Sequence, residues 1–117
     1  MSDLVVTVPL TFGLARWISE GDPAGSPWSG QFWDFGIAGG KPDIQPGERV
    51  YIVFNRKLRG YAPLIELQRE RPNYWYLVRG GDAVAVTIDE PIIGFRGWRR
   101  RWWRRQIERP FADWQKP

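Results

Sequence analysis

The sequence predicts a small, mainly β domain of mixed α+β class, with five or six strands curled into a barrel-like sheet and one or two short helices. Three observations carry this expectation. Short runs of β-branched and aromatic residues alternate with Gly, Pro, Asn and Asp, the pattern of strands joined by tight turns. The 117 residues suffice for one domain with one core, so residues 1–117 read as a single unit. Eight Trp lie in a chain that is 43% hydrophobic. Each indole buries roughly 200 Å², so a few account for much of a small core and the others are available to line a pocket or contact surface.

Taken in order, Leu4-Val5-Val6-Thr7-Val8 is a β-branched run stopped by Pro9 and reads as a buried first strand. Thr11 is placed to cap a short helix carrying Phe12, Leu14, Ala15, Trp17 and Ile18, which Gly21-Asp22-Pro23 ends. Residues 21–46 are rich in Gly and Pro and read as one long irregular loop, although they hold Trp28, Phe32, Trp33 and Phe35. A loop of that length in a compact domain is functional or pinned by its own aromatics. The turn Gln45-Pro46-Gly47-Glu48 leads into a strand over residues 49–54, and Asn55-Arg56-Lys57 is the tip of a tight hairpin. Residues 58–66 return, with Gly60 and Pro63 marking bulges or edge positions.

Pro72-Asn73 is the next turn and Tyr74-Trp75-Tyr76-Leu77-Val78 the next strand. Gly80-Gly81-Asp82 then turns into residues 83–88, and Ile92-Ile93-Gly94-Phe95 follows Asp89-Glu90-Pro91. From Arg96 the pattern fits a strand or a helix; a helix would set Trp98 and Trp102 on one face. Phe111 and Trp114 are expected to dock back on the body.

Composition excludes several chemistries. With no Cys and no His there are no disulfides, thiolate nucleophiles, Cys/His zinc sites or imidazole bases, and no cofactor or metal is expected. No apolar run approaches the roughly 20 residues that span a bilayer, and Met1-Ser2-Asp3 lacks the basic start of a secretory signal. The expected location is the cytoplasm. The net charge of +4 conceals a polarised chain. Residues 1–48 hold two Lys/Arg against six Asp/Glu, a net −4, and residues 49–117 hold fifteen against seven, a net +8. Such asymmetry points to a polyanion or an acidic partner.

The strongest local signal is Arg96-Gly97-Trp98-Arg99-Arg100-Arg101-Trp102-Trp103-Arg104-Arg105, with no acid. Arginine forks hydrogen-bond phosphate oxygens in pairs, and indoles offer π faces to unpaired bases. Arg99, Arg100, Arg101, Arg104 and Arg105 are therefore candidate phosphate contacts, and Trp102 and Trp33 candidate stacking residues. Three other readings stand beside this one: Trp as core with Arg stems covering it, a grip on an acidic protein, and an anionic membrane surface. Arg56, Lys57 and Arg59 at the hairpin tip form a second basic set, equally explained as a solvated turn. Trp28, Phe32, Trp33 and Phe35 around Asp34 suit a cage for a flipped or modified base, or a lid packed on the core. Asp89-Glu90 reads as a turn before Pro91, because neighbours on an extended chain point opposite ways. The Gly39-Gly40 and Gly80-Gly81 pairs lack the residues of a phosphate-binding loop and read as turns.

The stretch from Ile44-Gln45-Pro46-Gly47-Glu48 through Arg49-Val50-Tyr51-Ile52-Val53 to Asn55-Arg56-Lys57-Leu58-Arg59-Gly60-Tyr61-Ala62-Pro63-Leu64 resembles the central hairpin of the PUA-like superfamily, which includes ASCH and EVE domains. The order of strand, short helix and long loop agrees with that family. The resemblance implies a small pseudo-barrel with a cleft beside the first helix, and ligands such as RNA, modified bases or nucleotide-like molecules. Some ASCH members are amidohydrolases that use Lys, Thr and Glu, which on this resemblance would involve Lys41 and Glu66. Lys41 is followed by Pro42-Asp43, without the Gly-x-Lys-Thr pattern of those enzymes.

The expectation is a non-catalytic module that binds nucleic acid, single-stranded or RNA, through its Arg/Trp surface, with a pocket drawn from Trp28, Phe32, Asp34, Lys41 and Glu66. The alternative is a phage-type or mobile-element interaction protein gripping an acidic host protein. An ASCH-type hydrolase of a modified nucleoside is the third reading. An exposed Trp on a β edge would also allow a homodimer.

Overall fold

A computed structural model of the chain describes residues 2–8, 33–80 and 84–111. The run Leu4–Thr7 (β1) lies parallel to Arg49–Phe54 (β3), with Leu4 opposite Val50 and Thr7 opposite Val53. Every other strand pair among the described residues is antiparallel. Trp33–Ala38 (β2), Lys57–Arg71 (β4), Tyr74–Arg79 (β5) and Trp98–Arg100 (β7) complete one sheet in the order β2-β5-β4-β3-β1-β7. The sheet curls into a half-barrel, so the chain is mainly β. Val86–Thr87 (β6) and Arg109–Pro110 (β8) form a separate two-stranded patch.

The β3–β4 hairpin turns on Asn55 and Arg56, both left-handed at φ 51° and 63°. That is the backbone a two-residue hairpin needs to match the twist of its strands. Four residues later the register shifts: Val53 faces Leu58 but Ile52 faces Gly60, leaving Arg59 as the extra residue of a β-bulge. A bulge re-aims side chains. Arg59 is accordingly not part of a solvated tip but 1% exposed, with its guanidinium 5.6 Å from the Phe54 ring and 5.0 Å from the Phe111 ring.

Side chains alternate across a strand, so β1 and β3 feed two cores. Leu4, Val6, Val50, Ile52 and Phe54 face one side with Ile37, Leu64 and Leu77. Val5, Tyr51 and Val53 face the other with Leu58, Ile88, Ile92 and Trp103. Burial on both faces is the reason these strands read as unbroken apolar runs rather than alternating ones.

Several expectations change. Residues 21–46 are not one irregular loop, because β2 lies within them and pairs along its full length with β5. The expected strand over residues 83–88 is reduced to β6 plus an isolated bridge between Val84 and Tyr61. Residues 92–95 form no strand. The return strand runs on past residue 66 to Arg71. The tail takes the extended alternative, as β7 followed by a single 3-10 turn over Arg105–Ile107. Trp98 and Trp102 therefore do not share a helical face: Trp98 packs against the first core and Trp102 is exposed. The described residues hold no α-helix, and the expected helix over residues 11–18 lies outside them. No described helix is long and apolar enough to cross a membrane.

Candidate functional site

The site begins with a pairing that joins the two ends of the chain. β7 runs antiparallel to β1, placing Arg99 opposite Val5 and Arg100 opposite Leu4, and the Arg101 N–H extends the ladder to the Asp3 carbonyl at 3.0 Å. Asp3 is 5% exposed. Its carboxylate accepts from the Arg49 backbone N–H at 2.9 Å, Arg101 Nε at 3.1 Å and an Arg105 terminal nitrogen at 2.9 Å. Burial alone pushes the Asp3 pKa up, but the Arg49 N–H and the Arg105 and Arg101 guanidinium groups outweigh it and hold the carboxyl below its ordinary value. Arg101 also donates to the Trp103 carbonyl.

A second buried carboxylate anchors the other flank. Glu108 accepts from the Tyr51 hydroxyl at 2.6 Å, Trp103 Nε1 at 2.8 Å and Arg49 at 3.2 Å. Burial is the first cause of the raised Tyr51 pKa and the Glu108 carboxylate the second, with Arg49 opposing. Asp3 and Glu108 thus fix the segment from Arg99 to Glu108 over the second core, although among the described residues it holds only the short β7 and one 3-10 turn.

The arginines divide by what holds them. Arg100 is paired with Asp43 at 2.7 Å and lies 5.8 Å from the Trp98 ring. Arg99 lies 4.5 Å over Phe95. Arg104 is exposed and makes no ion pair among the described residues. Arg101, Arg104 and Arg105 line a basin of about 400 Å³ with Trp103 and Gln106. Asp3 is bonded to two of these three guanidinium groups, those of Arg101 and Arg105, so the basin stays positive, and Arg105 keeps further N–H donors on a half-exposed side chain. Beside it Trp102 is 45% exposed, its ring edge-on to Phe95 at 6.4 Å and to Trp103 at 5.0 Å. The arrangement can hold anionic oxygens against arginine and offers an indole for stacking.

The other expected site residues fall elsewhere. Arg56 and Lys57 line a different cavity that shares no residue with the basin. Lys41 and Glu66 do meet, lining a hollow of about 210 Å³ with Trp75, whose ring lies 5.7 Å from Lys41 Nζ. The Glu66 carboxylate accepts from Gln68 at 2.6 Å, and no Thr among the described residues lines the hollow. Trp33 and Asp34 sit in β2 opposite Arg79 and Val78. Trp28 and Phe32 lie outside the described residues.

Sequence reasoning missed Asp3, Tyr51, Arg49 and Glu108 as organisers of the segment. Asp3 and Arg105 are 102 positions apart, and only the β1–β7 pairing brings them together. It also missed Arg79, which is fully buried on β5, where burial pushes its pKa down. Among the described residues no group of three or more Asp or Glu gathers to hold a metal ion. No family model, no curated protein and no solved structure matches the chain, so its function is read from this chemistry alone.

Proposed function

We propose that the chain is a small nucleic-acid-binding module of PUA-like type, taking single strands or RNA on the surface formed by the Arg/Trp segment. The observation that carries this reading is the exposed Trp102 indole standing beside a basin lined by three arginines. Arg99 and Arg104 contact phosphates first, since no carboxylate among the described residues holds them. Arg101 and Arg105 are held in place by Asp3 and add donors to the same strand, which lowers the ordering cost of binding. Arg100 contributes less, because Asp43 competes for it. Base stacking on Trp102 supplies a contact that tolerates any sequence.

The test is quenching of tryptophan fluorescence by short single-stranded RNA, single-stranded DNA and duplex DNA, repeated at about 50 and 200 mM salt. Phosphate contacts predict binding that weakens steeply with salt, with single strands preferred over duplex. Arg104→Ala should lower the slope of log affinity against log salt by about 1, and Trp102→Ala should weaken binding by about 1–3 kcal/mol. Absence of binding to every strand would reject the reading. Salt-insensitive capture of a protein would transfer the surface to a host-protein partner, for which the exposed Ile107 and Trp102 are suitable anchors.

A further inference from the structure

The basic hairpin tip stays unused by the Arg/Trp surface, and it forms one wall of a cavity of its own. This cavity measures about 430 Å³, within the range of small-molecule sites. Asn55, Arg56 and Lys57 line it together with Asp89 and Glu90, and Pro110 and Phe111 give it an apolar surface. Ile88 and Thr87, both 5% exposed, tie it to the body of the protein.

Two features set this cavity apart from an ordinary turn. Arg56 occupies a left-handed position with φ 63°, where a two-residue hairpin favours glycine. The chain bears that strain with a long cationic side chain, and the Arg56 carbonyl is tied down by the Ile92 N–H at 3.0 Å. The charges are also unbalanced. Asp89 is engaged by Arg109 at 2.8 Å, whereas Arg56 and Lys57 make no ion pair among the described residues. A guanidinium fork and an ammonium on adjacent residues suit the dianionic oxygens of a phosphomonoester. The Phe111 ring and the prolines suit a flat body, and the Glu90 carboxylate in the same lining can accept from a hydroxyl or an amino group.

We infer that this cavity binds a nucleoside monophosphate, with its phosphate on Arg56 and Lys57 and its base against Phe111. The site is separate from the proposed strand-binding surface and does not depend on it. The 5′-phosphate at the end of a strand has the same chemistry, so the test includes both sources.

The experiment is calorimetric titration of the full chain with the 5′-monophosphates of adenosine, guanosine, cytidine and uridine, with the matching nucleosides and with inorganic phosphate. At least one monophosphate should bind about tenfold tighter than its nucleoside and than phosphate alone. Arg56→Gly is the informative variant, because it removes the cation while relieving the left-handed backbone. It should weaken the monophosphate about tenfold while the melting temperature holds or rises. Arg104→Ala and Trp102→Ala should leave this binding unchanged. Competition by trinucleotides then identifies the source: displacement by a 5′-phosphorylated one alone assigns strand ends, and displacement by neither assigns the free nucleotide. The inference fails if no monophosphate binds at about 1 mM, if nucleosides bind as well, if the 5′-hydroxyl trinucleotide competes equally, or if Arg56→Gly retains full affinity.

Discussion

Asp3 is a short acid before an apolar strand, yet it holds two arginines from the far end of the chain and one backbone N–H. Its removal leaves guanidinium groups part-buried without their counter-charge, so Asp3→Asn should cost about 2–3 kcal/mol in urea unfolding at neutral pH. The pH dependence has a definite sign. The folded carboxyl is held below its unfolded value, so its contribution is complete above about pH 4 and disappears as the pH falls through the folded pKa. Wild type and Asp3→Asn should therefore converge in stability under acid; a gap that stays constant down to pH 2 would show that the bonds to Asp3 are not charge-dependent. Tyr51 behaves in the opposite sense. Its folded pKa is raised, so its bond to Glu108 is fully present below the ordinary phenol value of about 10 and is lost as the pH climbs through the folded value. Ultraviolet titration should find one phenol that ionises only as the protein unfolds in alkali, and Tyr51→Phe should delete that step while costing about 1–2 kcal/mol. A Tyr51 that ionised without unfolding would break this account of the Glu108 network.

At the scale of elements, the β3–β4 hairpin was legible because its turn, its apolar runs and its glycine all act locally. Gly60 shows how close that legibility came to the real geometry. It stands at φ 151°, and a Cβ there would lie 2.5 Å from the Val84 carbonyl oxygen, the acceptor of the Tyr61 N–H. Gly60→Ala should thus force β4 away from residue 84 and cost about 2 kcal/mol or more, read as a lowered thermal midpoint. An unchanged midpoint would mean that the Val84 bridge carries no stability. Other elements escaped because nothing local specifies them. β2 is a strand within a Gly- and Pro-rich stretch, and its pairing with β5 decides its conformation. Its one glycine, Gly36, lies against the Tyr74 side chain, which would have to shift to admit a Cβ. The arginine run was ambiguous for the same reason. Its strand exists because β1 presents an open edge to residues 98–100, a partner almost a hundred positions away.

For the whole molecule, the acidic first half and basic second half are less a signal to a partner than they look in the sequence. Some of that polarity is neutralised within the chain itself, where Asp3 meets Arg101 and Arg105 and, at the surface, Asp43 meets Arg100. The candidate surface was legible as a composition, but which arginines stay available was not, since that depends on long-range pairing. The same pairing determines how the protein should unfold. β1 and β3 contribute to both hydrophobic clusters, and the segment carrying Trp103 closes the second one. Neither cluster can be lost without baring the reverse face of the same strands, so the described sheet should melt as one cooperative unit. Trp103 offers a direct test, because it is 6% exposed, packs edge-on against Tyr51 at 5.2 Å and donates to Glu108. Trp103→Ala should cost about 3–5 kcal/mol, since it leaves a cavity and strips a donor from a buried carboxylate. The loss should appear equally in far-ultraviolet circular dichroism and in the fluorescence of the remaining tryptophans, with coincident midpoints. Two separated transitions would mean that the C-terminal segment is an independent flap over a sheet that holds without it. The arginine basin would then open and close with that flap rather than stand preformed.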